Sequence, residues 1–399
     1  MSSGRKFQHF RGAENFRVKV ALSLISLKPI RITHIRNKSL DPGVNEAEIS
    51  VLKLIDEITN GTVSKINDTG TIVTFSPGVL IGGEIDFDCS LQRGIGYFLE
   101  LLLILAPFCK QGIEAKLHGV TNCLHDPSVE MIKHTWLPVY NALVGPSAAA
   151  TLKIEVSKRG LAPNGGGEVQ FISKPCSSIL PIEKISVGKI FRIRGIAWTC
   201  RVSSAYGYKL VAAAKTLLNR FLSDVYITLD HKKDESAGLS PGFGLTLWAE
   251  TKTGATFSGE SMSEPQSPNA APVDADTVGR TAASRLLDQV YFGGFVDFGA
   301  QSLPLILMAC EGGRNASQLA MGPPTSYSVS TLRLIRQLLG VTFNFDYRQR
   351  TSPEEVMKEE GDTTKPSSGQ QQTDSSSEPP LLIATCFGSG IQNVSRSVR

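Results

Sequence analysis

Two glycine-rich turns carry the residue types that could hold a phosphate. Gly82-Gly83 and Gly165-Gly166-Gly167 open the similar runs GGEIDF and GGEVQF, which start at residues 82 and 166. Successive backbone N–H groups in such turns can form an anion-binding nest. Neither turn is followed by the Lys-Ser/Thr pair of a P-loop, so the alternative, glycine supplying the positive φ of a tight turn, is favoured. The repeated motif also indicates an internal duplication.

The segment 118–128 is the nearest approach to a metal site, since it contains His118, Asn122, His125 and Asp126. No two of these histidines are four residues apart on a helix, and Asp126 before Pro127 is expected to cap the next helix. No metal and no cofactor are therefore predicted. The other histidines are isolated, and none follows His231. Recognisable motifs for Ser, Cys or zinc catalysis are absent from the sequence.

Basic residues form several local groups, although the net charge is only +4. That charge permits a nucleic-acid partner without arguing for one. Arg333 and Arg336 lie three residues apart on one face of a predicted helix. Solvated surface charge and an RNA-backbone or partner-binding patch explain such groups equally well. The candidates for a binding role are Arg17, Arg36, Arg159, Arg194, Arg201, Arg333 and Arg336.

The elements that must position these residues follow from hydrophobic periodicity. A helix over 14–27, a strand, a helix over 45–59 and a hairpin-like pair of strands, 71–75 and 84–87, form one unit, and a similar order recurs over 91–172. The most apolar run, Leu99 to Leu105, contains Glu100 and is too short to cross a bilayer, so a buried helix and no membrane association are predicted. The pattern predicts an α+β fold built from duplicated units.

A change of pattern near residue 182 indicates an inserted smaller α/β domain. Residues 352–380 are rich in Ser, Gln, Glu, Thr and Pro and are predicted to be a disordered insertion. The predicted domains are 1–181 (two repeats), 182–272 (inserted domain), 273–351 (third repeat), 352–380 (disordered insertion) and 381–399 (final strand and C-terminus).

Cysteine usage and the N-terminus bear on the compartment. The seven cysteines are scattered, odd in number and never spaced C-x-x-C, so a disulfide framework or zinc ribbon is not predicted and a reducing compartment is favoured. The opening MSSGRKFQHFRG is too polar for a signal peptide.

The order of several motifs along the chain resembles the RNA 3′-terminal phosphate cyclase superfamily. They are RGAENFRVKVALSLISLKPIRITHIR, LDPGVNEAEIS, TFSPGVLIGGE, GVTN and RGLAPNGGGEV. The resemblance covers nearly the whole chain except 352–380. It implies a large domain of three βαβαββ-like repeats, each with two helices on a four-stranded sheet, and a smaller inserted domain. Cyclases of this family use a histidine to attack the α-phosphate of ATP, transfer AMP to an RNA 3′-phosphate, and let the 2′-OH close a cyclic phosphodiester.

The residues that match the cyclase active site have changed. Tyr327 stands in the place of the nucleophilic histidine within Pro324 to Thr331, and Ala300 replaces the aspartate of an Asp-Gln pair. Neutral imidazole has a free lone pair at neutral pH, whereas a phenol with pKa near ~10 stays protonated. A catalytic residue is therefore not predicted, and the resemblance to the cyclase implies a degenerate site.

A closer resemblance is to the eukaryotic cyclase-like branch, carried by LQRGIGYFLELLLILAPF, LSPGFGLTLWAE and ATCFGSGIQNVS. This branch implies a non-catalytic factor for the small (40S) ribosomal subunit that acts in early pre-18S rRNA processing in the nucleus and nucleolus. The implied partners are a ribosome-assembly GTPase, and small nucleolar RNP and pre-rRNA within the small-subunit processome. A pre-rRNA endonuclease is the alternative, and an ATP-dependent cyclase a weaker one.

Overall fold

The computed structural model describes residues 6–264, 273–313, 315–349 and 379–393. The predicted disordered insertion lies outside the described residues except for its last two positions. The first repeat comprises β1 (Gln8–Arg11), α1 (Phe16–Ser26), β2 (Ile30–Thr33), α2 (Glu46–Ile58), β3 (Thr59–Asn60), β4 (Val63–Ile66), β5 (Val73–Ser76) and β6 (Val79–Leu80).

The second repeat follows without a break. It comprises β7 (Gly83–Asp88), α3 (Ile95–Leu105), β8 (Ile113–Gly119), α4 (Val129–Met131), α5 (Leu137–Val144), α6 (Pro146–Ala149), β9 (Lys153–Lys158) and β10 (Gly167–Ser173). A π-helical turn, Ile132–Trp136, joins α4 to α5.

The third repeat is interrupted after its first strand. The elements in chain order are β11 (Glu183–Lys184), β12 (Ile190–Cys200), α7 (Ala205–Phe221), β13 (Val225–Lys232), β14 (Gly242–Thr251), β15 (Thr256–Met262), α8 (Ala275–Phe292), α9 (Ser302–Cys310), β16 (Ala316–Met321), α10 (Ser326–Leu339), β17 (Asn344–Arg348) and β18 (Leu381–Phe387).

Three sheets share one topology, which confirms the predicted α+β fold with three βαβαββ repeats. Their strand orders are β1-β2-β5-β4, β7-β8-β10-β9 and β11-β16-β18-β17. In each sheet the first two strands are parallel and the other neighbours antiparallel. A parallel pair of strands needs a crossover connection. Helix α1 connects β1 to β2, α3 connects β7 to β8, and α9 is the last helix before β16.

The inserted unit has its own sheet, in the order β13-β12-β14-β15, and a separate core. Helix α8 packs against α7 and β15 within this core. The sequence pattern placed α8 in the third repeat, because periodicity shows which face of a helix is apolar but not which sheet covers it. Strand β11, the first of the third sheet, precedes the insertion. The division into domains as a whole stays a prediction.

The repeated glycine motif does not mark equivalent positions of two repeats. GGEIDF contributes to β7 and GGEVQF to β10, and both strands belong to the second sheet. The predicted hairpin between 71–75 and 84–87 is also wrong, since β5 pairs with β2 and β4 while β7 pairs with β8. Short strands opened by glycine look alike in sequence wherever they lie in a sheet.

One large core joins the three repeats. It includes α3, of which every residue is buried, so the prediction of a buried helix here is confirmed. Glu100 is the one charged residue in that helix and is 3% exposed. A buried charge requires a partner. The partner of Glu100 is Arg17, which lies in the cleft between the three repeats. No helix among the described residues is long and apolar enough to span a membrane.

Candidate functional site: a cleft where the three repeats meet

The cleft has an open volume of about 1130 Å³ and is bordered by elements of all three repeats. The loop 12–15 after β1 forms one wall, the start of α2 a second, and α3 a third, while Tyr327 of α10 closes the end. Gly12 and Asn15 have positive φ, which turns the chain sharply from β1 into α1. Asn15 Nδ2 donates to the Tyr327 carbonyl oxygen at 3.3 Å, so the loop is attached to α10.

Arg17 is the centre of the cleft and is 6% exposed. Its Nη1 donates to the Tyr97 carbonyl oxygen at 2.6 Å, and its Nη2 forms an ion pair with Glu100 and donates to the Tyr327 hydroxyl at 2.8 Å. The same hydroxyl donates to Glu100 Oε1 at 2.8 Å. Three side chains from three repeats thus form one closed triangle of hydrogen bonds.

Tyr327 is a poor nucleophile in this setting. Burial raises the pKa of its phenol well above the ordinary value; Arg17 opposes this effect, and the Glu100 carboxylate adds to it. Deprotonation would remove the hydrogen bond to Glu100 and place a phenolate beside a carboxylate. The sequence around Tyr327 contains no group that would lower this pKa. In the structure Arg17 does lower it, but the effect of burial is larger.

The N-terminal end of α10 is held by Gln301. Its Oε1 accepts from the Thr325 backbone N–H at 3.1 Å and from the Ser328 hydroxyl at 2.7 Å, and its Nε2 donates to the Pro323 carbonyl oxygen at 3.1 Å. Ala300, in the place of the cyclase aspartate, is fully buried and offers no polar side chain. Gln301 thus fixes the start of the helix that carries Tyr327.

The remaining cations of the cleft are also paired. Arg36 forms an ion pair with Glu48, which completes a capping box with Asn45 at the start of α2. Arg93 Nε donates to both oxygens of Asp126 at 2.9 and 2.8 Å. A phosphate entering here would have to compete with a carboxylate for each of these arginines, so the cleft is not preorganised for an anion.

Lys19 lies behind the loop after β1, where its Nζ donates to the Gly12 carbonyl oxygen at 2.8 Å. Burial lowers its pKa to about 8, against the opposing effects of Glu14 and Glu48. A lysine held by a backbone oxygen in this way supports the loop.

Sequence reasoning missed several of these residues, namely Lys19, Glu48, Arg93, Tyr97 and Glu100. One signal was available for Glu100, which is a single carboxylate in an otherwise apolar helix. Such a residue is rarely buried unless it is paired.

Arg159 lies in a second place, at the joint between the second repeat and the inserted domain. It is 2% exposed, and its guanidinium bonds to Asn122 Oδ1 at 2.7 Å, to Glu130, and to Asp230 Oδ2 at 3.0 Å. Asp230 belongs to β13 of the inserted domain. Gly160 and Gly238 allow the two segments to touch, since a Cβ at Gly238 would lie 2.4 Å from the Gly165 carbonyl oxygen. The glycine-rich loop is thus part of an interdomain joint.

The other candidate arginines are not brought together with the cleft; Arg194 is partly buried, and Arg201, Arg333 and Arg336 are exposed. Arg194 is paired with Asp224 at 2.8 Å, and Arg201 donates to the Gly238 carbonyl oxygen at 2.5 Å. Arg333 and Arg336 lie on the exposed side of α10, and no described carboxylate pairs with either. The binding roles of all seven arginines stay predictions.

The residues considered for a metal site are separated by other contacts. His118 Nε2 lies 2.7 Å from Asp86 Oδ1, and Asp126 is bound to Arg93 and to the Gly94 backbone N–H at 2.8 Å. The cap of α4 is Ser128 rather than Asp126. Within the described part of the chain, no group of three or more potential metal ligands occurs.

Comparison with known families accounts for this fold. The RNA 3′-terminal phosphate cyclase family model matches residues 8–345, and the chain belongs to that family. Within it, the chain falls among the cyclase-like proteins. It is 39% identical over 391 residues to the RNA 3′-terminal phosphate cyclase-like protein of Mus musculus, covering 98% of each chain, and 38% identical over 400 residues to that of Bos taurus, covering 100% of each.

A further relative has a name that states a process. The rRNA processing protein rcl1 of Schizosaccharomyces pombe is 36% identical over 353 residues, which are 87% of this chain and 93% of that protein.

Proposed function

We propose that this protein acts in rRNA processing as a binding factor that has lost the nucleotidyl transfer step of the cyclases. The observation that carries the proposal is the Tyr327 hydroxyl, held between Arg17 and Glu100 at the position that the family resemblance assigns to the nucleophile. A protonated phenol in that triangle cannot attack the α-phosphate of ATP without breaking it. The similarity to an rRNA processing protein supports the process.

The finer proposal concerns where and with what the protein works. The predicted setting is the nucleolus, in the early pre-18S rRNA steps of small-subunit assembly. The predicted partners are a ribosome-assembly GTPase, and small nucleolar RNP and pre-rRNA. The family resemblance supports this proposal, and affinity isolation of the tagged full chain from nuclear extract tests it. If no GTPase is recovered under low-salt conditions, the prediction of a GTPase partner is wrong.

The endonuclease alternative needs a base for a 2′-OH and an acid for the leaving 5′-OH. The exposed arginines of α10 could hold a phosphate, but this helix contains neither His nor a carboxylate. Binding explains the same arginines with fewer requirements.

The test of the proposal is protein adenylation. The full chain is incubated with α-labelled ATP and Mg²⁺, separated under denaturing conditions and examined for bound label, with Tyr327→Phe as the matched control and Tyr327→His as the variant that restores an imidazole. We expect no label on the unmodified protein or on Tyr327→Phe. Label on the unmodified protein that Tyr327→Phe abolishes would overturn the proposal.

A further inference from the structure

The outer face of the first sheet is basic. Alternate residues of β1, β2 and β5 are buried, and the residues between them point outward. The strand register places His9, Arg31, Thr74 and Lys65 side by side, one on each strand in the order β1-β2-β5-β4. At about 4.8 Å per strand this row is about 14 Å wide. Arg11 lies two residues along β1 on the same face.

Within the described part of the chain, these cations have no carboxylate partner, unlike those of the cleft. Arg11, Arg31 and Lys65 are exposed, and no carboxylate of the described chain forms an ion pair with any of them. None of the four strands contains Asp or Glu. A polyanion reaching this face would not have to displace an existing partner.

The basic face continues over the edge strand β1 onto α10. Gln337 Nε2 donates to the His9 carbonyl oxygen at 3.4 Å, which places the last turns of α10 beside β1. Arg333 is one helical turn before Gln337 on the same side of α10. Arg336 directly precedes Gln337 in the chain, and both arginines are exposed. Helix α10 contains no acidic residue. The cationic surface is thus formed by two repeats, and we call it the sheet-1 surface: Arg11, Arg31, Lys65, Arg333 and Arg336, with His9.

The second sheet has the same topology and the opposite charge. Its corresponding middle row is Asp86, Lys116, Gln170 and Glu155, again one residue per strand. Further carboxylates on that outer face are Glu84, Asp88, Glu114 and Glu168. The basic character of the sheet-1 surface is therefore a property of its residues and not of the repeat.

We propose that the sheet-1 surface binds the phosphate backbone of RNA. Guanidinium and ammonium groups alternate here with the hydroxyls of Thr33, Thr74 and Ser76, and both types of group donate to phosphate oxygens. Val63 is the one large apolar side chain that the register places on this face, whereas the buried core of a protein–protein interface is more apolar than the rest of the surface. The identification of RNA rests on the proposed function; the location of the surface does not.

The test uses binding of the full chain to a short fluorescent single-stranded RNA at several salt concentrations. The variant carries Arg11→Gln, Arg31→Gln and Lys65→Gln, which keep the stems and remove three charges. The control carries Lys209→Gln, Arg220→Gln and Lys252→Gln, three exposed cations of the inserted unit with no ion pair among the described residues. Melting temperature verifies that both variants fold.

We expect the sheet-1 variant to bind at least tenfold more weakly and its log–log salt slope to fall by about 2, at about 0.7 per lost contact on a single strand. The control should bind as the unmodified protein does. Equal affinity and slope in the sheet-1 variant and the unmodified protein would overturn the surface and leave the proposed function intact.

Two further outcomes separate the possibilities. If the unmodified protein binds no RNA but binds poly-glutamate through the sheet-1 surface, an acidic protein is the partner and the RNA assignment is wrong. The adenylation assay tests the proposed loss of nucleotidyl transfer independently of either result.

Discussion

At the scale of single residues, the triangle of Arg17, Glu100 and Tyr327 is the most consequential feature of the cleft. It fixes one residue from each repeat and leaves each buried charge with a partner. The triangle matters for stability because removing one partner of a buried ion pair leaves an uncompensated charge. The intact pair itself adds little stability over apolar packing.

Glu100→Gln should therefore destabilise the fold strongly. The neutral amide leaves the Arg17 guanidinium buried without a counter-charge, and we expect the free energy of unfolding to fall by about 3 kcal/mol. Urea denaturation measures it. Glu155→Gln, which breaks a half-exposed pair with Lys153, serves as the control and should cost less than about 1 kcal/mol. Equal losses in the two variants would contradict a structural role for the triangle.

At the scale of elements, β15 and α8 approach closely because residue 259 is glycine. A Cβ there would lie 2.4 Å from the Leu286 backbone nitrogen and 2.5 Å from the Ala282 carbonyl oxygen. This contact joins β15 to α8, the next helix along the chain. It explains why α8 belongs to the inserted core.

Gly259→Ala should force α8 away from the sheet. Both contacting atoms are backbone, so the helix itself must move, and we expect a loss of about 1–3 kcal/mol by thermal or urea unfolding. Gly312→Ala is the matched control, since a Cβ at that position meets nothing within 4 Å. A neutral effect at Gly259 would show that the helix shifts without cost.

At the scale of the whole molecule, the inserted domain is attached to the second repeat through polar groups. Arg159 bonds to Asp230 across the joint, and Glu260 of β15 accepts from the Ser128 backbone N–H at 3.3 Å. Burial raises the pKa of Glu260 to about 7; the hydrogen bonds from Ser128 oppose this, and the nearby Glu130 and Asp297 carboxylates add to it. We therefore expect the stability of this joint to depend on pH.

The folded state binds a proton at Glu260 more tightly than the unfolded chain does. The resulting stabilisation is complete below the ordinary pKa near 4.5 and is lost as the pH rises through about 7. Glu260→Gln, which is always neutral, should therefore gain stability relative to the unmodified protein between about pH 5 and pH 8. Urea unfolding at each pH checks this, and the exposed Glu264→Gln should follow the unmodified protein. Parallel pH curves for Glu260→Gln and the unmodified protein would contradict the prediction.

The sequence by itself determined the local structure and the family. The apolar run around Glu100 predicted a buried helix, the pattern over 45–59 predicted a second helix, and Tyr327 stands where the family resemblance expects the nucleophile. These are properties of residues close in sequence, where periodicity and propensity act. The order of motifs over the chain added the repeat architecture.

Only the tertiary structure decided which residues meet. Arg17, Glu100 and Tyr327 are separated by up to 310 positions, and no local pattern connects them. Four of the seven candidate arginines, Arg17, Arg36, Arg159 and Arg194, are paired with carboxylates. Arg11, Arg31 and Lys65, which were not among the candidates, form no ion pair with any carboxylate that the structure describes. Pairing depends on the distance between side chains in space, and sheet register and helix packing alone set that distance.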